Sequence, residues 1–269
     1  MSFDTAYDAV LAKWPVAPEP VDVPSAFGTT HVNVCGSGEP LVLLHSGGAT
    51  STVWFNNVGA LAGRYRVHAV DQINDAGRSV NDGRPIHSRD DLTAWLDALL
   101  DGLNLSAVHL AGHSYGGWIA LSYALHAPQR VSRLTLLDPT LCFAPMAFTY
   151  RLHAVPLFLP GPRADRMRRF LRWETDGAPL DPDWFELTGL AAGVPRKKIV
   201  MPRRPAPDRL RELHVPTLVL VAERTKSHDP AAVAGGARVM PDVTTAVLRG
   251  ATHHTIPMLD ADELNGYLR

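Results

Sequence analysis

The stretch VHLAGHSYGGWIA holds a serine framed by glycines, Gly112, Ser114 and Gly116, in a G-x-S-x-G pattern. An apolar run precedes it and a helix-forming run follows, which is the setting in which such a serine becomes a nucleophile at a strand-to-helix turn. The glycines have a mechanical reason to be there. Side chains flanking so tight a turn would collide, and the strained backbone leaves the Ser114 hydroxyl accessible. The helix that opens at this point also aims backbone N–H groups at developing negative charge.

A serine nucleophile needs a base to take its proton and donors to hold the oxyanion. With the nucleophile on such a turn, the acid is expected next in the chain and the histidine last. His253, in LRGATHHTIP, follows a small-residue turn and is the candidate base; its neighbour His254 is assigned a structural or solvent-facing place. Upstream, LVLLHSGGATSTVWF runs from an apolar strand into a helical pattern. An N–H at Gly47 together with that of Tyr115 would form an oxyanion hole, the alternative for Gly47 being an ordinary turn. His45 and His113 flank turns with no carboxylate or cysteine to complete a metal set, so both are read as structural.

These residues need a scaffold, and the chain supplies an alternating one. THVNV, LVLLH, YRVHAVD, AVHLAGH, RLTLLD, PTLVLVAE and TTAVLRG read as strands, several continuously apolar as strands buried on both faces are. Helical patterns at residues 7–13, 53–61, 89–103, 118–126 and 231–240 accompany them. The alternation predicts an α/β fold, a mostly parallel sheet covered by helices on both sides. The proline-rich WPVAPEPVDVP reads as an extended lead-in, because proline fixes φ and removes a ladder donor.

Residues 141–211 break the pattern with helix-like stretches, many prolines and clustered arginines, but no convincing strand. They are expected to form an inserted helical cap on a core made of 1–140 and 212–269. The insertion holds 13 Lys plus Arg against 7 Asp plus Glu, a balance of +6 that leaves −7 for the rest of the chain. A solvated helical face with arginine stems lying along it accounts for this, and attraction of an anionic substrate or partner is the other reading. FAPMAFTY and LRWETDG, within it, offer aromatic walls for a pocket.

At 269 residues with 46% apolar and 20% charged side chains, the composition fits one globular α/β domain with an insertion rather than a disordered chain. A net charge of −1 gives no field that would favour nucleic acid. Cys35 and Cys142, the two cysteines, form neither a disulfide framework nor a ligand spacing, which suits a reducing compartment. Asp4 and Asp8 stand where a signal peptide would carry positive charge, and no apolar run is long enough to span a bilayer. A cytoplasmic protein with neither a nucleic-acid nor a membrane partner is expected.

With HSGG, DQINDAGRS, GHSYGG and GATHH in this order, the chain resembles the α/β-hydrolase superfamily over nearly its whole length. Within it the chain resembles the carboxylesterase NP type, through a D-x-I-x-D-x-x-x-S run from Asp71 to Ser79. The resemblance implies an eight-stranded, mostly parallel sheet, a helical cap over the active site, and no cofactor or metal. It also implies hydrolysis of esters or related acyl compounds, with Ser114 as nucleophile, His253 as base, and Gly47 and Tyr115 as oxyanion donors.

Two departures stand out. The usual His-Gly of the oxyanion loop is His45-Ser46, and the usual place of the triad acid, in VAERTKSHDP, is taken by Thr225. Asp138, after the sixth strand, occupies an alternative acid position of the superfamily, against a reading as a turn-initiating Asp-Pro pair. Glu223 and Asp229 flank Thr225; Glu223 is expected to point elsewhere and Asp229 to cap a helix before Pro230. A triad with no acid is the remaining option. The expected activity is a serine hydrolase cleaving an ester, lactone or thioester of a small to medium apolar molecule through an acyl-enzyme. Its rivals are a cofactor-free lyase, acyltransferase or cyclase on the same fold, and a ligand-binding protein that has lost turnover. Nothing in the chain points to an oligomeric state.

Overall fold

The computed structural model describes residues 1–195, 199–258 and 261–268. Its strands are β1 (Glu19–Ser25), β2 (Gly28–Cys35), β3 (Glu39–Leu44), β4 (Tyr65–Val70), β5 (Val108–His113), β6 (Val131–Leu137), β7 (Thr217–Ala222) and β8 (Val243–Leu248). They form one eight-stranded sheet in the order β1-β2-β4-β3-β5-β6-β7-β8. The pairs β1/β2 and β2/β4 are antiparallel, and every other neighbouring pair is parallel.

Alternate residues of the central strands serve opposite faces, which is why those strands read as unbroken apolar runs. Val42, Leu44 and Leu110 belong to one hydrophobic cluster, while Leu41, Leu43 and Ala111 belong to the other. The helices α1 (Phe3–Leu11), α2 (Val58–Ala62), α3 (Arg89–Gly102) and α4 (Tyr115–His126) precede β6. Trp95, Leu96 and Leu99 of α3 and Trp118 of α4 fill the first face, with Val233 of a later helix; Tyr7 and Val10 of α1 fill the second. Helix α3 starts where the sequence says it should, since Ser88 and Asp91 cap each other's backbone N–H groups.

Between β6 and β7 the described residues contain no strand. They form α5 (Phe148–Ala154), α6 (Arg163–Glu174), α7 (Pro182–Ala191) and α8 (Pro207–Arg211). Phe170, Leu171, Trp184 and Leu187 join the second core cluster, so these helices are packed onto the sheet. Lys13, just past α1, bridges to Asp181 and Asp183 at the start of α7, each at 2.8 Å. After β7 come α9 (Pro230–Ala237) and α10 (Ala261–Leu268).

Three features differ from the sequence expectation. The proline-rich lead-in contains a strand, β1, which is possible because it is the sheet edge, where a proline need not donate on its open side. The helix expected over 53–61 is a 3-10 turn, Ser51–Asn56, followed by the short α2. The break falls at buried Asn57, whose amide turns inward onto Asn265 at 3.3 Å. Helix α10 has no counterpart in the strand and helix pattern read from the sequence.

Parallel pairing aligns the carboxyl ends of six strands, β3 to β8. Leu44 pairs with Gly112, Gly112 with Leu136 and Leu137 with Leu220. The loops that follow β3, β5, β6, β7 and β8 therefore open on one edge, where α/β sheets bind ligands.

Candidate active site

Ser114 sits at this edge as the N-cap of α4, with φ 55° and ψ −113°. A non-glycine residue held there stores ~1–3 kcal/mol, so the surroundings must enforce it. A Cβ on Gly112 would lie 2.3 Å from the Gly116 carbonyl oxygen, and one on Gly116 would lie 2.5 Å from the carbonyl oxygens of Leu44 and His45. The two flanking glycines are thus required by close backbone approach. The Ser114 amide donates to Leu137 O at 2.9 Å, which ties the turn to the end of β6.

Asp138 follows β6 directly, in a left-handed conformation with φ 42°, and its amide donates to Leu220 O at 2.7 Å. His253 comes from the loop after β8. Its Nδ1–H donates to Asp138 Oδ2 at 2.6 Å, and its Nε2 stands 2.8 Å from Ser114 Oγ. Asp138, His253 and Ser114 thus form a continuous hydrogen-bonded chain, with Ser114 7% and His253 1% exposed.

The unexpected Thr225 belongs to the same network. Its hydroxyl donates to Asp138 Oδ2 at 2.7 Å, with Ser227 Oγ at 3.4 Å from the same oxygen. On Asp138 Oδ1, the Ala222 amide donates at 3.0 Å and His228 Nε2–H at 3.0 Å. The end of β7 therefore supplies donors to an acid borne by β6 instead of supplying the acid. The other two acid candidates stay away from His253: Glu223 accepts from the Gly250 amide at 2.8 Å, and Asp229 caps α9 through the Ala231 amide at 2.9 Å.

Burial alone would raise the Asp138 pKa, but hydrogen bonds from His228 and His253, and their charge when protonated, hold it well below the usual carboxylate range. Burial lowers the His253 pKa, against the opposing pull of Asp138. At neutral pH the arrangement is thus a carboxylate beside a neutral imidazole. With Nδ1–H fixed on Asp138, His253 Nε2 is left as an acceptor for the serine proton, a tautomer assigned from the network.

Thr140 and Glu174, which the sequence did not single out, and Tyr150, in the FAPMAFTY stretch expected to wall a pocket, surround this chain. Thr140 Oγ1 lies 2.9 Å from Ser114 Oγ. Glu174, at the end of α6 and fully buried, accepts from the backbone N–H of His253 at 3.0 Å and of His254 at 3.2 Å. It also takes His254 Nδ1–H at 3.0 Å and the Thr252 hydroxyl at 3.1 Å. Burial works to raise the Glu174 pKa, yet His254 and His253 bring it down to about 2. The base loop is therefore clamped by a charged group of the insertion. Tyr150 of α5 lies edge-on to His253, ring centroids 6.0 Å apart. Thr140 and Glu174 have no spacing signal, although Glu174 is one of only two acids, with Asp165, in arginine-rich α6.

The loop after β3 faces the same point. A Cβ on Gly47 would lie 3.5 Å from Tyr115 Cβ, so the two proposed oxyanion residues are neighbours. Helix geometry leaves the first N–H groups of α4, that of Tyr115 among them, without an intrahelical acceptor. The adjacent Gly48 amide is engaged by Asp75 Oδ2 at 2.6 Å. Asp71 holds the Ser51 amide at 2.7 Å and the Tyr7 hydroxyl at 3.0 Å, so the D-x-I-x-D run pins this loop from behind. His45 Nε2 accepts from the Gln72 amide at 3.1 Å, and His113 Nε2–H donates to His253 O at 2.8 Å. Both histidines are bound into the backbone, and among the described residues no His, Cys, Asp and Glu cluster is arranged to hold a metal.

A cleft of about 1100 Å³ lies away from this chain, beside the start of α3, and is lined by residues such as His87, Arg89, Trp118 and Arg203. Ser114, His253 and Asp138 are not among its walls. Tyr150 and Glu174, from the helices between β6 and β7, lie against His253 instead. Among the described residues, no helix is long and apolar enough to cross a membrane.

Comparison with known proteins agrees with the geometry. The chain is 28% identical over 266 residues to carboxylesterase YbfK of Bacillus subtilis, covering 94% of this chain and 88% of the relative. It is 29% identical over 262 residues to the uncharacterized carboxylesterase nap of the same organism, covering 92% and 84%. The solved structure of naproxen esterase (carboxylesterase NP) from Bacillus subtilis superposes with a TM-score of 0.92 at 27% identity, covering 99% of this chain and 95% of that one. Residues 41–266 match the alpha/beta hydrolase family, so the chain belongs to that family and is a carboxylesterase-like enzyme.

Proposed function

We propose that the protein is a serine esterase that works through an acyl-enzyme on Ser114, and the observation that carries this reading is the unbroken Asp138–His253–Ser114 chain. His253 Nε2 takes the hydroxyl proton as Ser114 Oγ attacks the acyl carbonyl. The oxyanion is held by backbone N–H groups at Gly47 and Tyr115, at the start of α4. His253 then returns its proton to the leaving alkoxide, and a water, activated by the same nitrogen, releases the acid. Asp138 keeps the imidazole in the working tautomer and stabilises its cation. Thr140 steadies Ser114 through the 2.9 Å contact between their hydroxyls.

Residues 141–211 act as the cap in this reading. Tyr150, Phe170 and Trp173 form a mutually packed aromatic group beside His253, which suits an apolar acyl or alcohol part in an ester, lactone or thioester of small to medium size. The carboxylesterase and naproxen esterase names of the relatives point the same way. The two cysteines are both free and buried, which suits a cytoplasmic setting.

The test has two parts. A fluorophosphonate should label the protein, and Ser114→Ala should abolish the label; an inert wild-type protein would favour a ligand-binding role. Turnover of an acyl-ester panel in ¹⁸O-water should place the heavy oxygen in the released acid. Product formed without it would sink hydrolysis and favour the non-hydrolytic alternatives.

A further inference from the structure

Among the described residues, five of the eleven exposed large apolar side chains fall within one stretch of α5 and the 3-10 turn after it. They are Phe148 at 65% exposure, Leu152 at 53%, Val155 at 51%, Phe158 at 70% and Leu159 at 49%. Phe148, Leu152 and Val155 recur at i, i+4 and i+7, a single stripe along the helix and its continuation. Tyr150, on the inward side, is buried against Phe170 and His253. Here the amphipathic pattern is doubled: one stripe seals the site and a second, equally apolar, faces outward. Single apolar residues on a surface need no explanation, but a contiguous stripe of this kind marks an interaction face.

The stripe ends in a built tip rather than a frayed one. The Arg166 guanidinium donates to the carbonyls of Pro156 at 3.2 Å, Leu159 at 2.7 Å and Pro160 at 2.8 Å, fixing the turn that displays Phe158 and Leu159. Arg151, Arg163, Arg169 and Arg172 are exposed around it. Residues 148–172 contain six arginines and a single acid, Asp165.

We propose that this outward face of α5, with its tip, is a peripheral docking surface for an anionic lipid bilayer. The phenylalanines and aliphatic side chains enter the boundary between headgroups and acyl chains, and the surrounding arginines pair with lipid phosphates. Charge selects this occupant. Six arginines against one acid within residues 148–172 draw this face toward a negative surface. A second copy presenting the same face would set like charges against each other. The expectation of no membrane partner rested on the lack of a spanning run and does not bear on surface association. The proposal goes beyond the esterase reading and does not depend on it, because the test reads binding alone.

The whole protein is sedimented with vesicles of phosphatidylcholine alone and of phosphatidylcholine mixed with phosphatidylglycerol, at low and high salt. Binding to the anionic vesicles should exceed binding to the neutral ones by about tenfold or more and weaken with salt. The pair Phe148→Ser with Phe158→Ser should weaken it by about tenfold or more, and Arg163→Gln with Arg169→Gln should reduce the preference for anionic lipid. Unchanged melting temperatures would confirm that these exposed substitutions leave the fold intact. No binding, equal binding to both vesicle types, or full binding by the phenylalanine pair would overturn the proposal. So would a concentration-dependent dimer, abolished by the same pair, in a protein that ignores vesicles; that result would give the face to a second copy.

Discussion

Replacing Asp138 by Asn changes one oxygen to NH2 with almost no change of shape, and the structure dictates which oxygen is lost. The Oδ1 position receives the Ala222 backbone N–H at 3.0 Å, a donor that cannot turn around. The amide oxygen must stay there, which places the new NH2 at the Oδ2 position, facing His253 Nδ1 across 2.6 Å. Two donors cannot share that gap, so His253 must move its proton to Nε2. In that tautomer Nε2 cannot accept the Ser114 proton. In the serine-protease template the same amide substitution lowers turnover ~10⁴-fold for the same reason, which at about 1.4 kcal/mol per tenfold is ~5 kcal/mol of lost transition-state stabilisation. Asp138 is fully buried behind the histidine, so KM should change little. The assay is kcat and KM on the best ester of the panel, with the rate of fluorophosphonate labelling falling in parallel and the melting temperature checking the fold. Turnover within about tenfold of wild type would refute the reasoning and remove Asp138 from the mechanism.

Three further outcomes follow from the same network. Because burial lowers the His253 pKa from 6.5 and the base must be neutral, kcat/KM should hold a plateau through neutral pH and fall on an acid limb with its inflection below 6.5; a limb above that value would contradict the balance drawn between burial and Asp138. His228→Leu removes a donor from Asp138 and should cost ~2 kcal/mol in stability. With one donor fewer the carboxylate pulls harder on the His253 proton, moving the acid limb upward, and His228→Gln, which keeps an N–H in reach, should restore most of both; identical profiles for Leu and wild type would reduce His228 to packing. Glu174, brought from 4.5 to about 2, contributes ~3 kcal/mol that is present above pH 4.5 and lost as pH falls toward 2. Glu174→Gln should lower stability at neutral pH by ~2–4 kcal/mol, since its NH2 would meet the backbone N–H groups of the base loop, and should flatten the acid side of chemical-denaturation curves taken across that range.

Much of the scaffold was legible because it rests on local chemistry. Unbroken apolar runs such as LVLLH and PTLVLVAE announce strands buried on both faces, and the helical pattern over 89–103 announces α3. The turn at Ser114 was readable because three residues within five positions carry its whole steric logic. Strand β1 was hidden, since Pro20 and Pro24 argue against a strand until the chain is known to lie at the sheet edge. The 3-10 turn before α2 was hidden as well, because Asn57 breaks the helix through a partner 208 residues away.

The acid is where sequence ran out. Asp138, Glu223, Asp229 and no acid at all were each compatible with the one-dimensional pattern, as was a vacant role for Thr225. What decides among them is the parallel register of β6 and β7, which sets Asp138 against the Ala222 amide, Thr225 and His228, and the loop after β8, which brings His253 across 115 residues to the same carboxylate. By itself the sequence determined that a tight strand-to-helix turn would form at Ser114 and on what kind of sheet, because sterics and hydrophobic alternation act between near neighbours. Only the tertiary structure decided which carboxylate serves the histidine, because a charge can be buried there only where strands distant in sequence converge to surround it with donors.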